Sequence, residues 1–120
     1  MTIFKLMAIG ALGGWLGACG ASAPTVEQTA APEAAIREAE AIGAGEIPQA
    51  SLHLKLAADQ YTAAKRLIED GENARAKLVL ERAQADAEVA RQIAQMEATR
   101  KQADAAERQI QKLMGATEVR

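Results

Sequence analysis

From Ala74 to Met114 the chain contains neither proline nor glycine, and nearly every residue in that stretch is a good helix former. Such a run predicts one continuous helix of about 40 residues, roughly 60 Å long at 1.5 Å per residue. A helix of that length cannot be wrapped into a small globule, so everything else must be laid along it. Its first half offers Leu78, Val79, Ala83, Asp86, Val89, Ile93 and Met96 as an apolar seam broken once, at Asp86. Its second half is far more polar, with Arg100, Lys101, Asp104, Glu107, Arg108 and Gln109. There Ala103, Ala106, Ile110 and Leu113 hold a seam at heptad-like spacing.

Upstream of this helix lies a shorter partner. Pro48 suits a first-turn position, and Leu54, Ala57, Tyr61, Ala64 and Ile68 form one stripe at 3.6 residues per turn. Asp70-Gly71-Glu72-Asn73 is the stop, with Gly71 able to take the left-handed conformation and Asn73 able to cap the long helix. About 22 residues of this helix cover only the first half of the long one. The distal half must therefore project, self-associate or meet another molecule. A first helix carries Ile36, Ala39 and Ile42 on one face and ends at Gly43-Ala44-Gly45. Two starts are open to it: a capping box at Thr25 with Gln28, or a start near Ala31 with Pro32 in the first turn, which the proline favours.

The N-terminus has a different character. Lys5 is followed by an apolar run of about a dozen residues from Leu6 to Leu16, well short of the ~20 a membrane span needs. Leu16, then small Gly17 and Ala18, then Cys19 resemble the lipobox of bacterial lipoproteins. The resemblance implies cleavage between Ala18 and Cys19, with a diacylglyceryl group on the thiol and an acylated amino terminus. The chemistry suits the residues, since a thiolate is the nucleophile for alkylation and two acyl chains already anchor stably. Cys19 is the sole cysteine, so no disulfide forms within the chain. Gly20, and no acidic residue, follows it, which in this resemblance directs the protein to the outer membrane, periplasm-facing, in preference to the inner membrane. The competing reading is a small buried cysteine within an apolar helix.

The expected organisation is thus a signal segment over 1–18, a flexible tether over 19–30, a helical domain over 31–114 and a disordered end over 115–120. The fold class is all-α: a lipid-anchored, elongated helical hairpin or three-helix arrangement whose long C-terminal helix is coiled-coil-like at its distal end. Cleavage removes Lys5, leaving 13 basic against 16 acidic residues, a charge of −3. That balance carries no electrostatic footprint for nucleic acid. After cleavage Tyr61 is the one aromatic side chain, and with so much alanine the core must be thin.

No motif for catalysis emerges. His53, the only histidine, has no second ligand or nucleophile at useful spacing and reads as a helix-flank residue. Glu69-Asp70 and Glu38/Glu40 read as solvated charges, and no phosphate loop, metal-ligand cluster or serine elbow appears. No cofactor is expected, and the chain is not expected to be an enzyme.

The helical part, from Pro32 through Pro48, Leu54-Lys55-Leu56-Ala57, Gly71, Ala74 and Glu81-Arg82-Ala83-Gln84-Ala85-Asp86-Ala87 to Ala94, resembles a bacterial lipoprotein family known as domain of unknown function 4398. That resemblance implies an envelope lipoprotein with a helical domain and no assigned activity. Residues Ala64 to Ala83 also resemble half of a tetratricopeptide unit, without a second copy at its 34-residue period. The expected role is a scaffold, accessory or protein-interaction module in the periplasm. Its partners would be the membrane through Cys19, and a second copy or an envelope protein through Ala103, Ala106, Ile110 and Leu113. The alternative is a binding module for peptidoglycan or another envelope ligand, against which the scarcity of aromatic residues counts.

Overall fold

The structure, a computed structural model, describes residues 20–118. The expected signal segment, with Leu16, Gly17, Ala18 and Cys19, lies outside the described residues. Three α-helices follow one another: α1 over Val26–Ala41, α2 over Pro48–Glu69 and α3 over Asn73–Glu118. A 3₁₀ turn at Ala44–Glu46 joins the first two. The protein is all-helical among these residues and elongated, with α3 reaching about 69 Å from its 46 residues.

The start of α1 corrects the expectation drawn from Pro32. Thr25 is extended, its Oγ1 accepts from the Gln28 amide at 3.2 Å, and Gln28 Oε1 accepts from the Thr25 amide at 2.9 Å. This reciprocal capping box satisfies two helix-end donors and sets the boundary. Pro32 then falls in the second turn, fully buried. A proline there removes the helical bond to the Gln28 carbonyl.

Both connections depend on left-handed glycines. Gly43 (φ 81°) ends α1, and Gly71 (φ 76°) ends α2. At the second, the Gly71 amide donates to the Ile68 carbonyl at 3.1 Å and the Glu72 amide to that of Leu67 at 2.8 Å. This is a Schellman closure, which reverses the chain in three residues and lays α3 back along α2. The cap of α3 differs from expectation: the Glu72 carbonyl accepts its first bond, from Ala76, while the Asn73 side chain donates to the Ala21 carbonyl at 3.2 Å. With Lys77 Nζ on Ser22 Oγ at 3.3 Å, this holds the beginning of the described chain at the α2–α3 turn. The expected flexible tether over 19–30 is therefore shortened from both sides, by contacts at Ala21 and Ser22 and by α1 from Val26.

The core is made of alanine. Along α3 the buried positions are Ala76, Leu80, Ala83, Ala87, Ala90 and Ala94, separated alternately by four and three residues. Along α2 they are Ala50, Ala57 and Ala64, with half-buried Leu54, Tyr61 and Ile68 between them at the same alternation. From α1, Pro32, Ile36 and Ala39 complete it, with Ala44 from the turn. This heptad-like pattern is that of helices crossing at a shallow angle. Methyl side chains let the backbones approach closely, so the core gains its contacts from proximity more than from side-chain volume.

Three residues of the seam expected along the first half of α3 lie on the wrong face. Leu78, Val89 and Met96 are 57, 37 and 70 % exposed. Each sits two residues beyond a buried alanine (Ala76, Ala87, Ala94), hence about 200° further round the helix. Of that seam, Ala83 is buried, Val79, Asp86 and Ile93 are half-buried, and the bulky remainder faces away.

Beyond Glu97 every described residue up to 116 is exposed, and the helix runs through Gly115 to Glu118, past the stop expected at Met114.

Candidate functional site

Two features stand out from the helical packing: a polar cluster between the helices and an exposed seam on α3.

The cluster forms where His53 and Gln60, seven residues apart on α2, face Asp86 on α3. Asp86 Oδ1 lies 2.9 Å from His53 Nδ1, and Gln60 Nε2 donates to Asp86 Oδ2 at 2.8 Å. The first contact requires the His53 proton on Nδ1. The histidine and aspartate side chains are 32 % and 23 % exposed, so the carboxylate is partly shielded from water. His53 thus sits on the flank of α2, where it forms part of an interhelical bridge. Gln60 Oε1 is buried with no hydrogen-bond partner. Rotating the amide would not help, because Asp86 must receive from the nitrogen.

An aspartate that orients a histidine is half of a hydrolytic triad, but the third member has to be a nucleophile in reach. Ser51, two residues before His53, donates its hydroxyl to the Pro48 carbonyl at 3.0 Å, within its own helix turn. The two cross-helix hydrogen bonds to Asp86 tie α2 to α3. Asp86, the one break in the expected apolar seam, was its visible signal in the sequence. What could not be read was that α2 aims two polar side chains at the break.

A second cross-link joins α1 to α2. Tyr61 Oη donates to Glu33 Oε2 at 3.0 Å, Arg37 pairs with the other oxygen of Glu33, and Lys65 Nζ stands 5.8 Å from the Tyr61 ring centroid. Burial first, then the bond to Glu33 and its charge, push the Tyr61 phenol above its ordinary value of 10.0, with Arg37 acting in the opposite sense. Above pH 10 the unfolded chain gives up this proton before the folded one, so stability present below pH 10 declines as pH rises. Tyr61→Phe is expected to cost about 0.5–1.5 kcal/mol at neutral pH. It should also flatten the alkaline decline, which urea unfolding at pH 8 and at pH 10.5 would register; an unchanged decline would remove Tyr61 as its source.

The exposed seam is the place where sequence-predicted site residues come together. Ala103, Ala106, Ile110 and Leu113 share one face of distal α3, with Ile110 and Leu113 at 55 and 64 % exposed. Met96 and Thr99 extend the face toward the hairpin at the same alternation of three and four, a continuation that sequence reasoning missed. The remaining predicted residues, Leu16, Gly17, Ala18 and Cys19, are outside the described part. Among the described residues no group of histidines, cysteines and acids could hold a metal ion, and no helix is long and apolar enough to cross a membrane. No protein-family profile, curated protein or solved structure matches this chain.

Proposed function

We propose that this chain is a non-enzymatic cell-envelope lipoprotein of bacteria, anchored through lipid on Cys19 and acting as a scaffold or protein-interaction module. The observation that carries the interaction role is the exposed heptad seam on a helix half that α1 and α2 do not cover. A solvated helix needs no such seam; a coiled-coil contact does. The fold supports the anchor by its polarity. Ala21 and Ser22 are held at the α2–α3 turn, so a lipid on Cys19 would enter at that end of the rod, with the seam carried toward the other. The lipobox-like Leu16-Gly17-Ala18-Cys19 points the same way, as does Gly20 to the outer membrane and its periplasmic face.

The anchor is tested by intact mass on a membrane fraction, where the chain is expected to begin at Cys19 and carry lipid mass. Cys19→Ser should accumulate as the uncleaved chain without that mass; a variant that still reaches its usual size in the membrane fraction sinks the anchor. The interaction role is tested separately, by deleting the helix from Arg100 onward. Loss of the associations made by the intact chain is expected, and their persistence ends this reading.

A further inference from the structure

The exposed seam of distal α3 has a defined occupant. We infer that it takes a second copy of this chain, running antiparallel, and this deepens the interaction role on which it rests.

Among the described residues no other segment fills the seam: helices α1 and α2 occupy the opposite face of α3, the one bearing Ala76, Ala83, Ala87 and Ala94.

A second copy fits in one direction better than the other. Along Met96, Thr99, Ala103, Ala106, Ile110 and Leu113 the separations are three, four, three, four and three. When two such helices run antiparallel about a centre between Asp104 and Ala105, every seam residue meets a seam residue. Thr99 faces the partner's Ile110, Ala103 faces the partner's Ala106, and Met96 faces the partner's Leu113, each contact occurring twice. Small Ala103 and Ala106 meet at the centre, with β-branched Thr99 beside β-branched Ile110 and Met96 beside Leu113 further out. The flanks decide the direction. Arg100 and Glu107 lie on one side of the seam, and the antiparallel register brings Arg100 to within two residues, about 3 Å along the axis, of the partner's Glu107. Symmetry makes this pair twice. A parallel register instead stacks Met96 on its own copy and sets Arg100 beside the partner's Gln95 and Glu107 beside the partner's Gln102, with no charge matched.

Such a contact is isologous and closes at two chains, so it does not propagate into fibres. Its overlap of 18 residues, about 27 Å of helix, places it among small interfaces, so it forms in proportion to local concentration.

Full-length chains carrying Thr99→Cys or Ile110→Cys, both at exposed positions, test the register under mild oxidation. Wild type, with its native Cys19, serves as the baseline. A disulfide needs Cα atoms within about 7 Å. In the antiparallel pair Thr99 is about 16 Å from the partner's Thr99 along the axis and level with the partner's Ile110. The equal mixture of the two variants is expected to give several-fold more covalent dimer than either variant alone, with thermal unfolding unchanged in both. Dimer from Thr99→Cys alone at the level of the mixture would overturn the direction. No dimer above baseline in any sample would overturn the second copy, even where deletion from Arg100 abolishes capture of another envelope protein and so upholds the interaction role.

Discussion

Ala57→Leu is expected to lower the free energy of unfolding by about 2–3 kcal/mol, the upper part of the range for overpacking. Ala57 is fully buried between α1 and α3, in a cluster with Ile36 and Ala87. The methyl is the spacer there: three extra carbons must push α2 off α3 along its length, since alanine recurs seven residues to either side at Ala50 and Ala64. For a helical unit of this size the melting temperature should fall by about 10–20 °C. Leu78→Ala, which removes a far larger apolar side chain, should change stability by less than about 0.5 kcal/mol, because Leu78 is 57 % exposed on the other face. Urea unfolding followed by far-ultraviolet circular dichroism gives both numbers. If truncating Leu78 costs as much as enlarging Ala57, the alanine face is not the core.

The second large effect concerns the polar bridge. Asp86→Ala removes the shared acceptor of His53 and Gln60, and Gln60 already has a buried oxygen with no partner. A cost of about 1–2 kcal/mol is expected, kept to that by the water that still reaches a histidine 32 % exposed. Replacing Gln60 and Asp86 together by apolar residues, as in Gln60→Leu with Asp86→Leu, should recover much of it, because the buried amide is then gone and only His53, which water reaches, loses its partner. A double variant no more stable than Asp86→Ala would mean the bridge contributes more than satisfaction of its own atoms.

The sequence was most legible where local chemistry acts alone. Pro48 at the start of α2 and the left-handed Gly71 at its end give the observed bounds, and the Leu54, Ala57, Tyr61, Ala64, Ile68 stripe is the face that α2 turns inward. Legibility failed where two rules compete. At α1 the proline's preference for a first turn stands against the Thr25–Gln28 capping box, and two reciprocal hydrogen bonds outweigh the one helical bond that Pro32 forgoes. On α3 the failure was one of scale. Ranking residues by apolar bulk selects Leu78, Val89 and Met96, whereas closely approaching helices select by smallness, and alanine is too common in this chain for its phase to show. The alternation of four and three from Ala76 to Ala94 becomes visible only once alanine is counted as a core residue. The distal seam was legible because its neighbours are charged. Its continuation through Met96 and Thr99 was not, because bulk alone places Met96 on the inner face.

The bond from Asn73 to the Ala21 carbonyl has a consequence for reach. With Ala21 fastened to the foot of α3, an anchor on Cys19 would meet its membrane at that end of the rod. Two rods overlapping head to foot through their upper thirds would set their feet about 95 Å apart. A pair anchored in one bilayer would therefore lie along its surface, like a rail pinned at both ends.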